Sequence, residues 1–261
     1  MTMRTIRRHS LIAFARACAL TVGLICPLAT GATPDEPNGN QYRLTLSPHH
    51  EIKGDLTGFG QFEYRNNPEQ DYQAYQVLWP GLTYSFNHWL QLSGGWLTRY
   101  TDNEQSADTL ELRPFAGVEL SAPNKIKWNI YNYTRYEFRD TENLDTHDWT
   151  SYSRIRTRFG VEFPLTARAK AWQPKTWYGL ADAEPFYRFD KHTIDPFRVR
   201  GGIAYIVSSR VRMEFIYHAQ FTRPAGSSGL EFTDNIFRLN IKIALNKGII
   251  QRVFDGGDAG D

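Results

Sequence analysis

Cysteine is almost missing from this chain of 261 residues, and both copies, Cys18 and Cys26, lie within the first 32 residues. A chain that loses this segment has no disulfide, no thiol nucleophile and no thiolate metal site. Long apolar runs are missing as well: after residue 32, no stretch reaches the roughly 20 residues that a membrane helix requires. These absences exclude a thiol enzyme, a disulfide scaffold and a helical membrane protein from the remaining chain.

The first 32 residues have the composition of a secretory signal peptide. "MTMRTIRRHS" is basic, "ALTVGLICPLA" is apolar, and small residues precede a predicted Sec-type cleavage near Ala32. The segment contains four arginines and no acid, so its removal leaves 26 of the 30 basic residues against 28 acidic ones. The mature chain is therefore slightly acidic, and its charge gives no support to nucleic-acid binding.

From residue 56 onward, apolar and polar residues alternate with a period of two, which is the pattern of β-strands. Clusters of Gly, Asn, Asp, Pro and Ser separate the alternating segments. The pattern predicts ten strands, with twelve as the alternative count. The ten are 56–65, 72–86, 89–100, 109–120, 125–139, 150–163, 177–189, 197–207, 211–222 and 233–245.

The segment "YSRIRTRFGVEF" (152–163) shows what the alternation means. Its three arginines, Arg154, Arg156 and Arg158, share one face, and apolar residues share the other. A soluble sandwich also alternates, with its apolar face inward. A closed antiparallel membrane barrel reverses the arrangement, and it avoids the roughly 2–4 kcal/mol that an arginine facing lipid costs.

Strand length, connections and tryptophans favour the membrane barrel over the sandwich. Most predicted strands have the roughly 10 residues that cross a bilayer when tilted. Long connections alternate with short ones, with the exception of 164–175, and this predicts that both ends of the barrel chain lie on the short-turn side. Trp89, Trp128, Trp149 and Trp177 lie near strand ends, as in interfacial girdles. We therefore expect a periplasmic segment at 33–55, an outer-membrane barrel at 56–245 and a C-terminal extension at 246–261, with the alternative that "YRLTLS" (42–47) extends or precedes the first strand.

Five short motifs resemble a known bacterial outer-membrane family. They are "ELRPFAG" (111–117), "RYEFR" (135–139), "SRIRTRFG" (153–160), "DAEPFYRF" (182–189) and "FRVRGGIAY" (197–205). Their order is similar to that of the family called domain of unknown function twenty-four-ninety. The resemblance covers most of residues 56–245, and it implies an outer-membrane barrel without implying an established activity.

The inward faces of the predicted strands carry the candidate functional residues, which we call the lumen set. Twelve arginines and eight acids belong to it, so the interior should be net positive. With His218, the lumen set comprises Glu63, Arg65, Glu111, Arg113, Glu119, Arg135, Glu137, Arg139, Arg154, Arg156, Arg158, Glu162, Asp182, Glu184, Arg188, Arg198, Arg200, Arg212, Glu214 and Arg238. Two interpretations stay open: ion pairs that pack the barrel, or a narrow path for small anionic solutes.

The predicted role is that of a non-enzymatic, porin-like barrel of the Gram-negative outer membrane. No catalytic residue, cofactor or metal ligand is predicted, since no catalytic or phosphate-binding motif occurs. The alternative is a lipid-modifying enzyme that hydrolyses or transfers acyl chains of lipid A or phospholipid. Expected partners are membrane lipid and lipopolysaccharide, the barrel assembly machinery, periplasmic chaperones and small anions.

Overall fold

A computed structural model describes residues 39–104, 106–122, 127–167, 170–224, 227 and 229–246. The predicted signal peptide lies outside the described residues, as does the predicted C-terminal extension after its first residue. No helix in the described ranges is long and apolar enough to cross a membrane.

The described residues form a closed β-barrel of eleven strands. Each strand pairs antiparallel with its neighbours in sequence, and a parallel pairing between the first and last strands closes the barrel. The strands are β1 (Asn40–Lys53), β2 (Leu56–Asn67), β3 (Tyr72–Ser85), β4 (Leu90–Asn103), β5 (Thr109–Ala122), β6 (Asn129–Asn143), β7 (Trp149–Pro164), β8 (Thr176–Arg188), β9 (Thr193–Ile206), β10 (Val211–Thr222) and β11 (Glu231–Ala244).

The predicted count of ten strands, or alternatively twelve, is wrong because β1 was missed. β1 lies within the segment 33–55, for which no barrel strand was predicted. Its first half does alternate: Tyr42 and Leu44 face outward, and Arg43 and Thr45 are buried inside. Its second half, "SPHHEIK", contains only one large apolar residue, Ile52, so the alternation weakens even though the pairing with β2 and β11 continues.

The odd strand count places the two ends of the barrel chain at opposite rims, which we call the Asn40 rim and the Ala244 rim. β1 and β11 run in the same direction, with Asn40 beside Asn235 and His49 beside Ala244. The prediction that both ends share one side is therefore wrong, since it followed from an even count.

The predicted alternation of long and short connections is also absent. At the Asn40 rim the connections are 68–71, 104–108, 144–148, 189–192 and 223–230, and at the Ala244 rim they are 54–55, 86–89, 123–128, 165–175 and 207–210. Strands such as β6 and β4 extend into stretches that looked like polar loops. Ladder hydrogen bonds there outweigh the low strand propensity of Asp and Asn.

The outer wall is apolar along the whole circumference. Large hydrophobic side chains are exposed on every strand, including Trp79 (67% exposed), Phe215 (49%) and Ile203 (49%). Their inward neighbours are polar or charged, so the usual distribution of a water-soluble barrel is inverted.

Among the described residues, two apolar clusters interrupt the polar interior. One consists of Leu78, Leu97 and Phe115. The other consists of Tyr178, Leu180, Ala204, Ile206 and Ile216, near the Ala244 rim. Trp172 from connection 165–175 packs on Tyr178 with ring centroids 5.1 Å apart, and its Nε1 donates to the Lys127 carbonyl at 2.8 Å. This connection therefore covers part of the Ala244 rim.

Candidate functional site

The predicted lumen set lies inside the barrel. Its members are buried or half-buried, and the apolar residues between them are on the outer wall. The period of two in each strand produces this separation, because successive side chains point to opposite faces. The interior charges of the described residues are the candidate functional site.

Glu137 on β6 is the most densely paired acid. It is fully buried and accepts hydrogen bonds from Arg135 and from Arg154, whose Nη2 lies at 2.6 Å. Arg156 Nε lies at 3.2 Å and Arg113 Nη1 at 3.8 Å from the same carboxylate. One acid thus holds four guanidinium groups from three consecutive strands.

Glu111 on β5 forms a similar centre closer to the Asn40 rim. Arg113 and Arg139 contact it directly, and Arg99 Nη1 lies at 3.5 Å. Arg113 also approaches Glu137, so it joins the two centres. The pairs are continuous from β4 to β7.

Two acids on β8 continue the network toward β9. Glu184 accepts from Arg158 at 2.8 Å and lies 3.6 Å from Arg156. Asp182 receives both Nε and Nη2 of Arg200, at 2.5 and 2.6 Å. This bidentate geometry is the strong form of a guanidinium–carboxylate pair.

Glu214 on β10 is the centre near the Ala244 rim. Arg212 Nη2 donates at 2.6 Å, Lys242 Nζ at 2.8 Å and the Asn240 amide at 2.7 Å. The Tyr178 hydroxyl adds a fourth hydrogen bond at 2.9 Å. Arg212 also reaches Glu162 on β7 at 2.9 Å, so this centre crosses the interior.

Glu63 on β2 lies one strand away from the parallel seam between β1 and β11. It accepts from Arg65 Nε at 2.6 Å and from Thr45 Oγ1 at 3.0 Å, and Arg238 Nη2 lies at 3.2 Å. Thr45 belongs to the strand that the sequence did not predict.

Cations outnumber acids in this network. In the described part of the chain, twelve interior cations contact seven interior acids, and two of these acids, Glu111 and Glu137, contact three or more cations. Two further strand arginines, Arg43 and Arg198, form no ion pair with any described acid, and their Nε atoms donate to the amide oxygens of Gln41 and Gln220. The interior is therefore net positive.

An aromatic ring in the interior is packed against arginines. Phe186 on β8 is fully buried, and the guanidinium carbons of Arg154, Arg198 and Arg156 lie 4.8, 4.8 and 5.8 Å from its centroid. Such cation–π contacts stabilise guanidinium groups without requiring a carboxylate partner. Phe186 thus fills the interior where three arginines converge.

At the Asn40 rim, Arg188 is bound by a residue outside the strands. Its Nε and Nη2 donate to Asp190 at 3.1 and 2.6 Å, and the hydrogen bond lowers the pKa of the Asp190 carboxyl below its usual value. Arg188 also stacks on Tyr152 at 4.0 Å.

The sequence did not single out Arg43, Arg99 or Lys242 as members of the set. Arg43 lies in the unpredicted strand, where the alternation of "YRLTLS" was the available signal. Arg99 lies two residues after Leu97, which is apolar and also faces inward. The inward face of β4 therefore does not read as polar in the sequence. Lys242 continues the face of Arg238 and could have been included on that pattern.

His218 is 2% exposed, and neither ring nitrogen has a hydrogen-bond partner among the described residues. A general base needs a nucleophile within hydrogen-bond reach, and no such pair is formed here. The described residues also contain no group of three potential metal ligands.

Comparison with known proteins gives the family and nothing further. Neither a curated protein nor a solved structure matches the chain. Residues 40–230 match the family described as protein of unknown function (DUF2490), and this range contains β1 to β10 and ends just before β11. Because the match covers well over half of the sequence and includes ten of the eleven barrel strands, the chain belongs to the DUF2490 family of proteins of unknown function.

Proposed function

We propose that this protein is a non-enzymatic β-barrel of the bacterial outer membrane whose interior is packed by ion pairs and admits small anions in preference to cations. The observation that carries the proposal is the inverted barrel: the outer wall is apolar, and the interior contains more guanidinium groups than carboxylates.

The outer wall supports the membrane part of the proposal. The shortest strands have 12 residues, and a strand of that length measures about 40 Å, or about 28 Å in height at a tilt of about 45°. That height matches the hydrocarbon core of a bilayer, which is about 30 Å thick. Trp89, Trp128, Trp149 and Trp177 are exposed near strand ends, where interfacial aromatics lie in membrane barrels.

The interior supports low conductance with anion preference. The acids Glu63, Glu137, Glu184 and Glu214 are at most 2% exposed, so side chains rather than water surround them. Eleven strands are also fewer than the 16 to 18 of open porins. Surplus arginines attract anions and repel cations, and their fork geometry suits carboxylate and phosphate oxygens.

Planar-bilayer recording of the purified protein tests this function. In a potassium chloride gradient, we expect small currents whose reversal potential has the sign of chloride selectivity. Cation selectivity would refute the anion preference. A protein that fractionates as free periplasmic material, without detergent, would refute the membrane location.

The variant Arg154→Ser/Arg156→Ser/Arg158→Ser separates packing from conduction. These arginines are partners of Glu137, Glu184 and Asp182. Their loss removes both cations that contact Glu184, two of the four that contact Glu137 and one of the two that contact Asp182, so the variant should lose the heat-resistant folded band on a gel. A folded variant with unchanged heat resistance would show that the network does not hold the barrel together.

The same proposal includes the partners of such a barrel. Sec-type export, periplasmic chaperones and the barrel assembly machinery would deliver it, and lipopolysaccharide and phospholipid would surround it. Depletion of the assembly machinery should lower its amount in the outer-membrane fraction, and an unchanged amount would contradict this route.

A further inference from the structure

Three arginines lie side by side across the parallel seam. Arg43 on β1 is the register partner of Arg65 on β2 and also of Arg238 on β11. Like charges directly opposite each other on neighbouring strands are destabilising. Glu63 contacts Arg65 and Arg238 and forms no ion pair with Arg43. This row therefore has more positive charge than its one carboxylate balances.

Arg198 on β9 adds a further unbalanced charge. Arg43 and Arg198 act on each other electrostatically, although they come from different strands. Each has one hydrogen bond, from Nε to a glutamine side chain, at 2.5 Å to Gln41 and 2.7 Å to Gln220. Their remaining guanidinium nitrogens donate to no group in the described ranges.

His218 on β10 lies between these arginines in the strand order. The charged groups that act on it most strongly are four arginines, namely Arg43, Arg198, Arg200 and Arg238. Arg200, its register partner, is held by Asp182 in a bidentate pair, whereas both nitrogens of the buried His218 ring have no partner among the described residues. Buried polar side chains are normally hydrogen-bonded, so an unpartnered ring surrounded by cations indicates a site for an acceptor.

The position of this group within the barrel makes it reachable. Arg43 is the fourth residue of β1, and His218 lies four residues before the end of β10, so both are on the Asn40 side. The opposite side contains the apolar cluster around Tyr178 and Ile206 and the Trp172 connection. A solute would therefore enter from the Asn40 rim.

We infer that Arg43, Arg198, Arg238 and His218, contributed by four adjacent strands, form a binding site for a small dianionic oxyanion of the phosphate class. We call this the oxyanion site. The inference deepens the proposed function and rests on the net positive interior, since it names where in the barrel an anion is held and what chemistry it has.

The donor set explains the choice of ligand. Guanidinium groups present paired N–H donors that match two oxygens of a tetrahedral anion, and a neutral imidazole supplies one N–H donor. Two negative charges balance the two arginines that lack a carboxylate. Chloride neutralises only one charge, and it has no pair of oxygens to match the two N–H groups of a guanidinium.

The test is a titration of inorganic phosphate into the full-length protein in detergent, in a buffer without other oxyanions and at constant ionic strength. Calorimetry gives the affinity, and the rise in unfolding temperature confirms that the folded state binds. Arg43→Gln and Arg198→Gln should each weaken phosphate binding about 10- to 100-fold, the range for one charge-assisted hydrogen-bonding group. Arg210→Gln, in the exposed connection 207–210 at the opposite rim, is the matched control and should bind as the wild type does.

These variants should fold, because neither Arg43 nor Arg198 is the partner of an acid that would be left alone. The gel heat-resistance assay checks this directly. Arg43→Lys and Arg198→Lys keep the positive charge but lack the paired N–H groups of a guanidinium. They should bind phosphate more tightly than the glutamine variants and more weakly than the wild type. Recovery in the lysine variants, together with loss in the glutamine variants, supports the site.

Two results would overturn the oxyanion site: no phosphate binding by the wild type, or equal binding by the wild type and the Arg43→Gln/Arg198→Gln double variant. The reversal potential of the same preparations separates this failure from that of the proposed function. Anion selectivity without phosphate binding rejects the site and leaves the function standing. Phosphate binding lost in the variants, combined with cation selectivity, supports the site and rejects the function.

Discussion

Replacing Glu137 by glutamine tests whether the interior acids hold the barrel together. The substitution preserves size and shape and removes one negative charge from a fully buried position. Four arginines contact this carboxylate, but they do not depend on it equally. Arg113 also contacts Glu111, and Arg156 also contacts Glu184.

Arg135 and Arg154 have no other acid partner in the described part of the chain. Their remaining interior contacts include the rings of Phe115, at 4.3 Å from Arg135, and Phe186, at 4.8 Å from Arg154. Breaking a buried pair costs about 3–5 kcal/mol, because the partner charge is left uncompensated. Two guanidinium groups lose their only acid here, so we expect Glu137→Gln to lower the free energy of unfolding by about 3–5 kcal/mol.

The assay is reversible unfolding by urea or guanidinium in lipid or detergent, with the gel heat-resistance test as an independent readout. Glu104→Gln is the matched control, because Glu104 is exposed in connection 104–108 at the Asn40 rim. The double variant Glu137→Gln/Arg154→Gln should recover part of the loss, since it removes one of the two orphaned charges. A double-mutant cycle measures that coupling.

The reasoning fails if Glu137→Gln unfolds within about 1 kcal/mol of Glu104→Gln, the range of an exposed ion pair. It also fails if Glu137 and Arg154 show no coupling. Either result would mean that water or mobile counter-ions, rather than carboxylates, compensate the interior arginines.

Three further variants examine the wall, the packing and the interior. Gly202→Ala should destabilise the barrel by about 1–3 kcal/mol, since an added Cβ would overlap the Phe215 carbonyl oxygen, whereas Gly201→Ala meets nothing within 4 Å and should be neutral in the same unfolding assay. Phe215→Arg on the outer wall should cost about 2–4 kcal/mol in a bilayer, with Phe215→Leu as the control, and an unchanged folded fraction in vesicles would argue against lipid at that face. Phe186→Ala should raise single-channel conductance, because it removes the ring on which three arginines pack, and an unchanged conductance would place the constriction elsewhere.

Local alternation was sufficient to predict ten of the strands and the direction of their charged side chains. It did not predict β1, whose second half contains one proline, two histidines and only one large apolar residue, Ile52. It also could not predict the pairs. Arg212 on β10 reaches Glu162 on β7, across two intervening strands, and such contacts depend on how the sheet closes rather than on any local pattern.

The apolar clusters were equally hidden from the sequence. Leu97 and Phe115 lie inside the barrel among charges, although an apolar residue on the polar face of a strand looks like a simple interruption of the pattern. The oxyanion site was not predicted for two reasons. Arg43 lies on β1, which was missed, and the other members of the site come next to Arg43 only when β1 pairs with β11.

The parallel seam also restricts how this chain can be rearranged by protein engineering. In a barrel with an even number of strands the two chain ends emerge side by side, and a short linker can join them to make a circular permutant. Here Ala244 lies beside His49, and Asn40 lies beside Asn235, so a joining peptide would have to travel about 30 Å along the wall. Such a peptide would have to pass through the ion-paired interior or lie along the apolar outer wall. Circular permutants of this barrel should therefore fail to assemble.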